Sequence, residues 1–123
     1  GEKLMKRVIL EMGMGNDLYG EDYTKAACRA VQDALHHSSL SLFKSLKLDP
    51  SKMSVRVTIG AQKPDQVNSE KIMKELPHGQ IEILVEEGGL NIRSTENNTW
   101  HVIATVGIEV FVDVEGAITN TET

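Results

Sequence analysis

Four carboxylates, Glu11, Asp17, Glu21 and Asp22, fall within twelve residues of one another, interleaved with Gly13, Gly15 and Gly20. Carboxylates grouped this way suit a cationic ligand, a metal ion or general acid–base chemistry. Glycines permit a positive φ and let a ligand approach the backbone. The segment is no dinucleotide fingerprint, because the third glycine of Gly-x-Gly-x-x-Gly falls at Leu18. Nor is it a phosphate-binding P-loop, since Glu21 and Asp22 stand where Lys and Ser or Thr are needed. Lys25 and Arg29 follow four residues apart, on one face of the next helix. The expected site therefore has Asp17 as its key polar group and Glu11 beneath it as candidate catalytic carboxylates. Gly13, Gly15, Tyr19, Gly20, Lys25 and Arg29 are the expected ligand contacts. No metal-ligand set and no cofactor is assigned. A purely structural reading competes with this one: Glu11 pairs with Lys6 or Arg7, Asp17 closes an Asx-turn, and the glycines only bend the chain.

Other reactive side chains carry weaker signals. His36 and His37 end a helix, where an imidazole suits the negative end of the dipole. As neighbours they point about 100° apart and cannot form a helical i, i+4 metal pair. His78 follows Pro77 in a turn, and His101 projects from the polar face of a strand. Cys28 is the only cysteine, so no internal disulfide forms, which fits a reducing, cytoplasmic setting.

These residues need elements to position them. Residues 6–12 read as a short strand, with Val8, Ile9 and Leu10 buried on both faces, and the Gly13–Gly20 segment reads as a glycine-rich turn. Residues 22–37 read as an amphipathic helix capped by Asp22, with a stripe of Ala26, Ala27, Ala30 and Ala34 that lets it lie close on a sheet. Leu40 to Leu48 continues it as a second piece. Strands follow at 53–59 and 80–86, separated by a short helix from Asn68 to Leu76, and residues 91–99 read as a polar loop. From Trp100 to Val114 apolar residues alternate without a break. Fifteen residues at ~3.3 Å each span roughly 50 Å, against roughly 35 Å for a compact monomer. The expectation is a long arm or a strand that bridges subunits, with Gly107 as the alternative place for a bend.

The whole chain, 1–123, is thus expected to form one α/β (α+β) domain. Its order is β-α-β-α-β-β, with a mixed sheet of about four strands and helices on one face. Residues 1–4 are read as a tag remnant or disordered, with Gly1 in place of Met, and 117–123 as a frayed tail. A net charge of −5 and scattered Arg7, Arg29, Arg56 and Arg93 argue against nucleic acid. No signal peptide precedes the first strand, and no apolar run reaches membrane-helix length.

At Gly13-Met14-Gly15-Asn16-Asp17-Leu18-Tyr19-Gly20 the sequence resembles a small uncharacterised family of bacteria and plants whose motif is Gly-x-Gly-x-Asp-x-His-Gly. Thr24-Lys25-Ala26-Ala27, Pro77-His78-Gly79 and Glu87-Gly88-Gly89-Leu90 also look like that family. Tyr19 departs from it, placing a phenol where the motif has imidazole, so the resemblance implies no metal or base chemistry at that position. The element order, with Gly88-Gly89-Leu90 before the last strand, looks like the trimeric fold of Bacillus-type chorismate mutases and YjgF-like proteins. That resemblance implies ligand clefts between subunits. Two functions stand open: a homo-oligomeric small-molecule-binding protein or small enzyme, and a non-enzymatic self-assembly or regulatory module.

Overall fold

The computed structural model of the chain describes residues 5–36, 52–76, 80–96 and 98–113. Five strands and two helices order these residues: β1 (Met5–Asp17), α1 (Tyr23–Leu35), β2 (Met53–Ala61), α2 (Ser69–Met73), β3 (Gln80–Glu87), β4 (Leu90–Arg93) and β5 (Trp100–Asp113). A single 3₁₀ turn at Pro64–Gln66 precedes α2. The expected piece from Leu40 to Leu48, the segment before Met5 and the tail from Ala117 lie outside the described residues.

β5, the strand with the strongest alternation, lies inside a single mixed sheet. β1 pairs antiparallel with it from Met5↔Asp113 to Asp17↔Val102. Along its other edge β2 pairs with residues 105–112 and β4 with residues 100–103. β3 then adds parallel to β2, so the order is β1-β5-β2-β3 with β4 extending the line of β2. The segment β2-α2-β3 is a parallel crossover unit. In β1-α1-β2 the two parallel strands are split by β5.

This topology corrects the expectation of a projecting arm. β5 does run unbroken for 14 residues, but strands of its own chain cover both edges. A 13-residue β1 matches its length, so no partner is needed to pair it. The irregularity that bends the β1–β5 ribbon sits between Arg7 and Ile9, and the register passes Gly107 undisturbed. A second correction concerns residues 91–99, where Leu90–Arg93 form a fifth strand. A backbone crossing at Gly88-Gly89, with Gly89 at φ 68°, brings it alongside β5.

The third correction concerns Gly13 and Gly15. They belong to β1, and the turn is confined to residues 18–20. Their lack of a side chain serves packing. A Cβ at Gly13 would stand 2.7 Å from both Ala30 O and Ala34 N, and one at Gly15 would collide with Ala30 N and Ala26 O. The alanine stripe of α1 and the glycines of β1 thus allow backbone-to-backbone approach of helix and strand. Ala26, Ala27, Ala30, Val31 and Ala34 are fully buried against Val57, Ile59, Val102 and Ala104. α2 adds Ile72 on the same face, so both helices cover one side of the sheet, as expected. Gly15→Ala is expected to cost about 2–3 kcal/mol by overpacking, and to lower Tm by roughly 10 °C in a thermal melt.

Candidate functional site

The C-terminal end of β1 delivers Asp17 to the point where the chain turns into α1. Asp17 is 6% exposed, the one buried charged side chain among the described residues. Its Oδ2 accepts the Asp22 N–H at 2.9 Å, and its Oδ1 faces the Arg29 guanidinium at 3.9 Å. A buried carboxylate survives in such a place because its oxygens have donors. Asp22 is the N-cap of α1, as expected, and its Oδ1 accepts the Lys25 N–H at 3.0 Å. Asp33, further along α1, accepts the Met14 N–H at 3.0 Å. Arg29 donates to the Asn16 carbonyl at 2.6 Å. The carboxylates nearest the turn are therefore engaged with backbone donors.

The turn itself is tied to the start of β5. Glu21 takes the positive φ of 51° that the sequence had seemed to reserve for glycine. Its Oε1 accepts the Trp100 N–H at 2.7 Å, a contact that helps offset the ~1–2 kcal/mol a non-glycine residue spends in that region. His101 Nδ1 lies 2.7 Å from the Leu18 carbonyl. A carbonyl can only accept, so Nδ1 is the donor in this contact. The Tyr19 ring stands edge-on to His101, with centroids 6.4 Å apart at 86°.

Between this turn and the first turns of α1 lies an open cleft of about 550 Å³. Asn16, Asp17, Leu18, Tyr19, Gly20, Asp22, Lys25 and Arg29 line it. Five of the eight expected site residues meet here: Asp17, Tyr19, Gly20, Lys25 and Arg29. Tyr19 is 78% exposed. Among the described residues no hydrogen bond or ion pair engages the Lys25 ammonium.

Gly13 and Gly15 lie beneath α1, away from the cleft. Glu11 sits half-buried on the helix-facing side of β1, six residues before Asp17 and hence ~20 Å along the strand, and the structure does not bring it to the cleft. His36 is the C-cap of α1, whereas His37 and His78 lie outside the described residues. Asn16, Leu18, Asp22 and the supports Glu21 and His101 were not among the expected site residues. His101 is 83 residues from its partner Leu18, a separation that no local motif could bridge. Among the described residues no three His, Cys, Asp or Glu side chains are grouped to hold a metal ion, and no helix is long and apolar enough to cross a membrane.

With this geometry in view, comparison with known proteins gives a family. Residues 7–110 match the model of Lin0512_fam, described as a conserved hypothetical protein, and the chain belongs to that family. A crystal structure of a FtsZ-like protein of unknown function from Nostoc punctiforme is similar at 32% identity, with a TM-score of 0.75. The match covers 91% of this chain and 99% of that one. No curated protein matches the chain.

Asp17→Ala leaves the Asp22 N–H without its acceptor and Arg29 without its counter-charge. It is expected to cost about 1–3 kcal/mol in urea unfolding, and Asp17→Asn, which retains an acceptor oxygen, less. Elsewhere on α1, burial raises the Cys28 thiol above its ordinary range, with Glu75 and Asp22 adding to the effect and Lys71 opposing it. Alkylation of Cys28 at neutral pH is expected to be slower than that of free cysteine. Its rate should keep rising above pH 9, the ordinary thiol value.

Proposed function

We propose that the protein is a homo-oligomeric small-molecule-binding protein or small enzyme whose ligand occupies the cleft between the Leu18–Gly20 turn and α1. The observation that carries this reading is the Lys25 ammonium, which no hydrogen bond or ion pair engages among the described residues, one helical turn from Arg29, on a wall whose carboxylates are already hydrogen-bonded to backbone. The lining holds two cations and two carboxylates, but Asp17 and Asp22 are turned to backbone donors, so the donor left open to a ligand is the Lys25 ammonium, which suits a small anion bearing a carboxylate or phosphate. Exposed Tyr19 offers a flat apolar surface beside those cations for the rest of such a molecule. In this reading Asp17 orients Arg29 and holds the turn. The resemblance to trimeric chorismate-mutase-like and YjgF-like folds supports a trimer, with clefts that neighbouring subunits help to close. The FtsZ-like description of the Nostoc protein comes with unknown function and adds no substrate.

A thermal-shift screen of carboxylated and phosphorylated metabolites tests the reading. A true ligand raises Tm with concentration, since binding to the folded state alone adds about 2.7 kcal/mol at a hundredfold excess over Kd. Lys25→Ala, a change on an exposed helical position, is expected to weaken that ligand at least tenfold. If every hit stabilises Lys25→Ala and the wild type equally, the cleft is not the site.

A further inference from the structure

The side of the sheet opposite the helices carries no covering element among the described residues. Leu10, Met12 and Met14 of β1, Leu84 of β3, and Leu90 and Ile92 of β4 are exposed there, with Met12 at 66%. At the middle of this face, on the central strand, is Gly107. The other glycines of the sheet face their own chain: Gly13 and Gly15 lie under α1, and Gly60 lies against Gly88-Gly89. Among the described residues a Cβ on Gly107 would meet only Leu10 Cδ1, at an ordinary 4.0 Å. Its register with Met12 and Thr58 is regular, so no bulge calls for it. Glycine inside a strand weakens the strand, and it often marks a bulge, a bend or the close approach of a ligand or another backbone. Among the described residues no bulge lies at Gly107, which leaves close approach from outside.

We infer that this open face is the surface on which copies of the chain pack together, with a neighbouring copy lying closest at Gly107. The charges on the face favour a copy of the same chain over another partner, and its size and the state of the β1 edge favour packing by the face. The face holds charges of both signs, Arg7 with Glu109 at 3.2 Å and Arg56 with Glu82 at 3.9 Å, so it is complementary to itself. Its size is suitable. Four strands at ~4.8 Å spacing and ~3.3 Å rise per residue, over 13 and 14 residues in β1 and β5, give a footprint of roughly 800 Å², which is what one side of a standard interface contributes. One competing route, strand addition at the outer edge of β1, is blocked at its C-terminal end. There Asp33 takes the Met14 N–H and Arg29 takes the Asn16 carbonyl. Packing by the face also hides the exposed apolar side chains, which an edge-to-edge assembly leaves in water.

This inference rests on the homo-oligomer of the proposed function and names its surface. Light scattering coupled to size exclusion tests it on the full chain, with circular dichroism as the check on folding. The wild type is expected to run as more than one chain. Gly107→Arg and Met12→Glu each place a charge on the face without touching the buried side of the sheet. Each is expected to run as a monomer with an unchanged spectrum, its association at least tenfold weaker. If Gly107→Arg fails to fold, Met12→Glu decides, because Met12 is exposed in the single chain. A wild-type monomer removes both the oligomer and this surface. A wild-type oligomer that neither charge disturbs removes the surface alone, and leaves the ligand reading to its own test.

Discussion

The backbone approach of α1 to β1 is the contact on which the rest of the structure depends. A strand and a helix reach this distance only if both are stripped of side-chain bulk along the seam. Here that means Gly13 and Gly15 on one side and Ala26, Ala30 and Ala34 on the other. Close packing at the seam gains many small dispersion contacts and excludes water from the backbone. It also fixes where α1 begins and how it is rotated. Arg29 can reach the Asn16 carbonyl, and Asp33 the Met14 N–H, only because the helix lies this near.

The cleft is a consequence of that seam. β1 ends on the buried Asp17, the chain turns sharply, and α1 starts with Asp22 as its cap. At the corner Asp17, Asp22 and Glu21 accept the backbone N–H groups of Asp22, Lys25 and Trp100. What the corner presents outward is Tyr19, Lys25 and Arg29. The acids thus build the corner, while the cations and the phenol face solvent. The start of β5 locks the corner from behind through Trp100 and His101. This ties the geometry of the cleft to the sheet that carries the open face.

That sheet has two faces of unlike character. Its helix side is filled by Val57, Ile59, Val102, Ala104 and Ile108, all essentially inaccessible. Its other side mixes methionine and leucine with paired charges, a composition between core and surface. Arg56 stacks over Phe111 at 5.2 Å there, the guanidinium over a ring face.

Much of this was legible in the sequence, because it follows from periodicity and local chemistry. The two-residue alternation in β2, β3 and β5, the alanine stripe of α1 and the Asp22 cap each depend on side chains a few residues apart. They gave one mixed sheet with helices on one face, and they put Asp17, Tyr19, Gly20, Lys25 and Arg29 near one another. Residues 7–110 match a family of conserved hypothetical proteins, in keeping with the expectation of an uncharacterised family. What the sequence could not decide is what lies across space from a given residue. Gly13 and Gly15 looked like a turn because glycine has that local use. Only the position of α1 showed that they are strand residues that make room for a helix. The length of β5 pointed to a projecting arm, and only the pairing with an equally long β1 brought it inside the fold. The Gly13–Gly20 segment determined by itself that a corner with Asp17 would form between strand and helix. Tertiary structure decided that Asp17 would be buried, that Glu21 would take the Trp100 N–H, and that Lys25 and Arg29 would stay exposed, because burial and long-range partners are set by elements distant in the chain.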